Sequence, residues 1–285
     1  MIHSMTGYGK SVLQLNNKKI TIEIKSLNSK NLDLNTRIPS LYRPKELNIR
    51  KQLAKHLNRG KVDFSIYVEQ TGEETSSKIN KQVVQSYMHQ LKDITEGTSL
   101  ELLKMAVKMP DTLITTRDEI DEDEWEKINE NIQVAILNIK SYRSEEGRVL
   151  EKDFVSRINV IKQLLDEVIT IDPERIKNVR ERLEKGVSEL KTQVDENRFE
   201  QELIFYIEKY DITEEKVRLS NHLEYFINTL NSDESNGKKL GFISQEIGRE
   251  INTIGSKANF APMQKLVVQM KDELEKIKEQ LLNVL

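Results

Sequence analysis

Two acids, a hydroxyl and an amine recur through residues 238–257 (KKLGFISQEIGREINTIGSK): Glu246, Glu250, Thr253 and Lys257, at spacings of 4, 3 and 4. At about 3.6 residues per turn, that spacing stacks all four on one face of a helix. Arg249, Asn252 and Ser256 widen the polar zone, and Phe242, Ile243, Ile247 and Ile254 mark an apolar stripe on another side. Carboxylates placed this way could hold a divalent ion or move protons, and the guanidinium and amine could clamp a phosphate. A segment upstream repeats the spacing with Asp211, Glu215, Arg218 and His222, backed by Leu219, Leu223, Phe226 and Leu230. His222 brings the one side chain here whose ordinary pKa lies near 7. Between the two segments, residues 231–237 (NSDESNG) predict a turn. Two helices joined by a short turn are antiparallel neighbours, so the two polar stripes could face one cleft. The alternative is two solvated faces laced with i,i+4 ion pairs.

The elements that must position these residues are mostly helical. Residues 1–70 are the exception, because Ile20, Ile22 and Ile24 alternate with polar residues, as do Val62, Phe64, Ile66 and Val68. Strict alternation predicts strands with one buried face. Pro44 opens a helix whose apolar residues are Leu47, Leu53 and Leu57. The expected fold class is α+β: an N-terminal antiparallel sheet with a covering helix, then long antiparallel helices and a coiled-coil-like C-terminal helix. The polar run at residues 71–78 predicts a loop. From about residue 80 the pattern is helical almost throughout. The acids of residues 118–126 (DEIDEDEWE) suit the positive end of a helix dipole, and Trp125 suits an anchor to a neighbour. One long helix is expected over about 124–168, with Asp172-Pro173 as a break before a polar arm containing Arg175, Arg180 and Arg182. Met263, Val267, Met270, Leu274, Ile277, Leu281 and Val284 form a heptad seam that must bury against a helix of this chain or of another subunit. The expected division is 1–155, a helical connector over 156–200, and a helical domain over 201–285 carrying the candidate site.

Composition narrows the classes. Charged residues are 32% and hydrophobic residues 37% of 285, the balance of a soluble protein with much exposed helix. No cysteine is present, so there is no disulfide framework and no thiolate metal site, and a cytoplasmic location fits. No run approaches the ~20 apolar residues of a membrane span, and no signal-peptide pattern opens the chain, so no membrane partner is expected. Neither a P-loop nor a G-x-G-x-x-G occurs, so no nucleotide cofactor is expected. Residues 1–70 hold 13 Lys and Arg against 5 Asp and Glu, although the whole chain carries −3. A basic part beside an acidic remainder suits a polyanion partner and a separate carboxylate-rich site.

The runs GKKLGFISQEIGREINTIGSK and DITEEKVRLSNHLEYF resemble the C-terminal signature of the YicC/YloC family of bacterial endoribonucleases. MIHSMTGYGK, EIKSLNSKNLDLNTRIPSLYRPKELNIRKQLAKHLNRGKVDFSIYVE and YRSEEGRVLEKDFVSRI resemble the rest of that family, in the same order along nearly the whole chain. The resemblance implies RNA cleavage aided by a divalent metal, Mn²⁺ or Mg²⁺, and a homo-oligomer, a ring-like hexamer. Three positions depart from the family pattern: Gly241 stands where aspartate is usual, Gly248 where asparagine is common, and Asn221 where serine is common. If that aspartate is a metal ligand, this chain lacks it.

For an RNA substrate, the expected ion site is Glu215, His222, Glu246 and Glu250, with Arg218, Arg249 and Lys257 on the scissile phosphate. In a metal-free route, the RNA 2′-hydroxyl attacks its own phosphate with His222 and Glu246 as base and acid. The expected catalytic set is therefore His222, Glu246, Glu250, Arg249 and Lys257. RNA contacts are expected from Asn252, Thr253 and Ser256, and from Arg37, Arg43, Arg50, Lys51, Lys55, Arg59 and Lys61 in the basic part. Tyr8 and Tyr42 could stack on bases or pack the sheet. A non-catalytic RNA-binding adaptor that assists other ribonucleases is the competing reading. It gains nothing from Glu246 and Glu250, which repel phosphate.

Overall fold

The computed structural model describes residues 2–71, 78–114, 120–189, 196–232 and 236–285. Strands β1 (Gly7–Gln14), β2 (Lys18–Leu27), β3 (Leu32–Arg37) and β4 (Gly60–Gln70) form one sheet in the order β1-β2-β4-β3. The alternating residues of β2 and β4 behave as their pattern requires, with Ile20, Ile22, Ile24, Val62, Phe64 and Ile66 buried. β1, β2 and β4 pair antiparallel, while β3 runs parallel to β4. A 3-10 turn (Ser40–Lys45) and helix α1 (Glu46–His56) lie between β3 and β4. That crossover returns the chain to the end of the sheet from which β3 started, making the pair parallel and the sheet mixed. In α1 the buried residues are Ile49 and Leu53, followed by Leu57, whereas Leu47 is exposed. The helix begins only at Glu46, and this phase turns the 49–53 side inward.

A small unit follows, with β5 (Lys78–Ile79) paired to β6 (Leu113–Ile114) around α2 (Lys81–Ile94) and α3 (Ser99–Ala106). The loop expected at 71–78 lies largely outside the described residues. Helix α4 then runs from Glu122 to Glu189, about 100 Å at 1.5 Å per residue. Its first turn holds Glu122, Asp123 and Glu124, the sign the helix dipole favours. Trp125 packs 6.4 Å from the Tyr42 ring, with the Lys45 ammonium over its face. Ile128, Ile132, Ile136 and Ile139 press on the sheet, so α4 shares with α1 the covering role expected of α1 alone.

The break expected at Asp172-Pro173 does not occur, and α4 continues through Pro173. The bond lost at Pro173 would have gone to the Ile169 carbonyl, on an exposed residue where water can replace it. On either side, Asp172 is buried and pairs with Arg175 at 2.7 Å and with Lys216 at 2.7 Å. Arg175, expected on a solvated arm, is therefore a core residue. Past α5 (Glu196–Lys209), helices α6 (Thr213–Leu230), α7 (Gly237–Lys257) and α8 (Ala261–Leu281) build a second core with Phe154, Ile158, Ile161 and Val168 of α4. The heptad seam of α8 is buried within this chain, so it supplies no argument for a partner subunit.

The two chain ends join the cores. Met5 N–H donates to the Asn283 carbonyl at 2.7 Å, and Leu285 N–H donates to that of His3 at 2.9 Å. Ile2 is buried among the C-terminal helices. Gly147 on α4 is required here, because a Cβ would fall 2.1 Å from the Ile2 carbonyl oxygen.

Candidate functional site

Helices α6 and α7 pack through Leu219, Leu223 and Phe226 on one side and Ile243, Ile247, Ile251 and Ile254 on the other. Phe242, placed in the apolar stripe by spacing, is instead exposed. The Lys257 ammonium, at the end of α7, lies 2.7 Å from Glu215 Oε1 and donates to the Asp211 carbonyl at 2.9 Å, at the start of α6. The helices are thus antiparallel, and their stripes meet at this end. Asp211 accepts from Thr213 Oγ1 at 2.7 Å and Thr213 N–H at 3.0 Å. Those bonds, with Lys216 and Lys257 nearby, hold its carboxyl below the usual range.

Glu215 and Glu250 are each only 5% exposed. Glu215 Oε2 has no partner, and no hydrogen bond or ion pair to Glu250 occurs among the described residues. His222 lies seven residues along α6 from Glu215, and Glu250 lies seven residues back along α7 from Lys257. In an antiparallel pair this sets His222 and Glu250 at one level, about two turns from the ion pair. His222 is half-buried and Glu246 is exposed.

The polar zone of α7 is divided between two sides. Glu250 and Lys257 belong to the partly buried α6 side. Arg249, Asn252, Thr253 and Ser256 line a shallow groove of about 510 Å³ that also includes Gln245 and Lys278 of α8. Thr253 and Ser256 donate to carbonyls of their own helix, at Arg249 and Thr253 respectively, both at 3.0 Å. Lys278 and Gln245 were missed in the sequence. Lys278 sits one residue past the seam position Ile277, where a lysine reads as solvation only.

The expected ion ligands do not gather. Among the described residues no three His, Asp or Glu side chains are grouped so as to hold a metal. Glu215 already has a cation, the Lys257 ammonium. As placed, Glu215, His222, Glu246 and Glu250 do not form one shell of three or more protein ligands for a Mn²⁺ or Mg²⁺ ion. Arg218, expected on the phosphate, pairs with Glu214 of its own helix.

In the basic part, Arg37, Arg43, Lys51, Lys55 and Lys61 are exposed. Two others have structural partners. Arg50 bonds Glu46, the Leu34 carbonyl and Thr36, tying α1 to β3. Arg59 donates to the Ser29 carbonyl at 2.9 Å. Tyr42 is 1% exposed and bonds Glu124, and burial followed by that carboxylate pushes its hydroxyl well above the ordinary tyrosine range. It packs the core and offers no face to a base. Tyr8 is partly exposed, with its hydroxyl on Glu23 at 3.0 Å. No described helix is long and apolar enough to cross a membrane.

Comparison with known proteins adds two family matches and two full-length relatives. Residues 2–152 match the model of the endoribonuclease YicC-like N-terminal region, and residues 168–285 that of the endoribonuclease YicC-like C-terminal region. The chain is 34% identical to the probable endoribonuclease YicC of Clostridioides difficile (strain 630), over all of both chains. It is 28% identical to the probable endoribonuclease YicC of Haemophilus influenzae (strain ATCC 51907 / DSM 11121 / KW20 / Rd), again over all of both.

Proposed function

This chain belongs to the endoribonuclease YicC-like family, and from that premise we propose that it cuts RNA internally, in cytoplasmic RNA turnover. The observation that carries the reading is α7 itself. It presents the donors Arg249, Asn252 and Ser256 to solvent, with Glu246 and Glu250 at adjoining positions. The route assigned to these side chains uses the substrate's own 2′-hydroxyl. Its oxygen forms the new bond to phosphorus, the P–O5′ bond breaks, and a 2′,3′-cyclic phosphate remains. His222 and Glu246 are the proton-transfer pair: one takes the 2′-hydroxyl proton and the other protonates the leaving oxygen. Arg249 neutralises charge on the phosphorane. Glu250, being buried, sets the polarity at the level of His222.

Metal-assisted hydrolysis with Mn²⁺ or Mg²⁺ is a separate proposal resting on family resemblance, and no step is assigned to an ion. Homo-oligomer formation is also proposed; Ile204, Phe205 and Ile207, exposed on α5, favour it. The non-catalytic adaptor has one observation in its favour: Glu215 and Glu250 are buried, and Glu215 is neutralised by Lys257.

The deciding experiment incubates labelled single-stranded RNA with the protein in Mn²⁺, Mg²⁺ or EDTA, beside Glu250→Gln and Glu246→Gln. Internal cuts lost in the Glu246→Gln variant, with RNA affinity equal or higher, support the nuclease. Cyclic ends in EDTA support the metal-free route, and cuts that require the ion support the metal route. Tight binding without cuts under every condition replaces the nuclease with the adaptor.

A further inference from the structure

The α7–α8 groove has a chemical character of its own. Among the described residues, its lining offers the amides of Gln245 and Asn252, the guanidinium of Arg249, the hydroxyls of Thr253 and Ser256 and the ammonium of Lys278, and no carboxylate. No acid pairs with Arg249 among the described residues. Lys278 meets Glu275 of its own helix at 2.7 Å, but that acid is 65% exposed, so the pair is weak and easily exchanged for a stronger anion. Gln245, Arg249, Asn252 and Ser256 recur once per turn, about 5.4 Å apart along the axis. Gly248 lies in the wall between the helices. A Cβ there would meet Leu274 at 3.2 Å and the Lys278 ammonium at 3.5 Å, so the missing side chain leaves Lys278 space beside α7.

Shape and lining together select the ligand. Small-molecule sites enclose most of their ligand. This groove is shallow, its polar groups are all neutral or cationic, and no aromatic ring of the described residues lines it. It suits an extended polyanion held by its backbone, with no platform on which bases could stack. We infer that the groove is a track for the phosphodiester backbone of a single RNA strand, in which Lys278 of α8 and Gln245 of α7 are binding residues. This rests on the RNA reading above and specifies how the strand passes the catalytic positions. The track runs beside the exposed Glu246 on the same helix, so a strand seated on it passes that carboxylate without its sequence being read. Binding is therefore sequence-independent, and a DNA strand senses the same lysine.

The test separates binding from cleavage. The full-length protein is titrated with a fluorescent, fully 2′-O-methylated RNA 12-mer, which cannot cyclise, and with the DNA strand of the same sequence. Lys278→Glu and Gln245→Glu are compared with Lys278→Arg and wild type across a salt series, with thermal unfolding as a folding control. The expected result is about tenfold weaker binding of both strands by Lys278→Glu, and a salt slope lower by about 0.7 for each phosphate that the variant no longer neutralises. Lys278→Arg keeps wild-type affinity. Folded Lys278→Glu and Gln245→Glu proteins with unchanged affinity and slope overturn the track, even if wild type cuts RNA. Groove-dependent binding by a protein that cuts no RNA keeps the track and removes the nuclease reading.

Discussion

Lys257 closes the antiparallel pair of α6 and α7 by placing its ammonium 2.7 Å from a carboxylate oxygen of Glu215, which is 5% exposed. The other oxygen of that carboxylate has no partner among the described residues, so Lys257 is what makes a charged Glu215 tolerable. Lys257→Met should cost about 2 kcal/mol, between the ~0–1 kcal/mol of exposed pairs and the ~3–5 kcal/mol of a stranded buried charge. Glu215→Gln keeps an acceptor for the amine and should cost less. Replacing both, with Glu215→Leu beside Lys257→Met, should recover much of the loss. Denaturant titrations of the four proteins check the order, and an equal cost for both single variants would show that the pair does not act this way.

Three glycines should respond in opposite directions to the same added methyl. At Gly147 a Cβ falls 2.1 Å from the Ile2 carbonyl oxygen, and at Gly9 it falls 2.2 Å from that of Ala135. Alanine at either must push backbone apart, at about 1–3 kcal/mol or more. At Gly241, inside α7, nothing lies within 4 Å, and alanine should stabilise by up to about 1 kcal/mol through helix propensity. Thermal midpoints read the signs directly.

The basic residues of the N-terminal part should separate into binders and ties. Changing Arg43, Lys51 and Lys55 together to alanine should weaken RNA binding and flatten its salt dependence with little loss of stability. Arg50→Ala should lower stability by about 1–3 kcal/mol, since it leaves Glu46, Thr36 and the Leu34 carbonyl without their guanidinium donor. An unchanged salt slope in the triple variant would take α1 out of the RNA path.

His56 should give the fold an acid-sensitive component. Partial burial, then the charges of Lys140 and Lys55, hold its pKa below the ordinary value, and the Lys140 ammonium lies 3.1 Å from Nδ1. A depressed folded-state pKa means that the unfolded chain binds the proton more readily. The contribution is therefore present above the unfolded value of about 6.5 and is lost as pH falls through the folded value. His56→Gln should remove part of the decline in thermal midpoint between about pH 7.5 and pH 5. An identical decline in both proteins would place the acid sensitivity elsewhere.

Where pattern and packing agree, the sequence reading holds. The alternation in β2 and β4, the seam of α8 and the antiparallel α6–α7 pair each arise because one face is apolar and must be buried. It fails where a residue's role depends on a distant partner. Spacing carries no sign that Arg50 and Arg59 are tied to groups of their own chain, nor which of its two expected roles, stacking on bases or packing, Tyr42 takes. Pro173 reads as a helix end, yet buried Asp172, Arg175 and Lys216 accompany a helix that runs through it.

The sequence alone determined the family, the α+β class and the helix that carries the candidate site, because periodicity and motif order are local properties of the chain. Only the tertiary structure decided which side of that helix each polar residue serves. Glu250 and Lys257 go to a partly buried side against α6, and Arg249, Asn252 and Ser256 go to an open groove beside Lys278. Spacing fixes the angle of a side chain about its own axis. Burial, charge partners and grooves depend on which helix lies alongside, and that is set by packing across the whole fold.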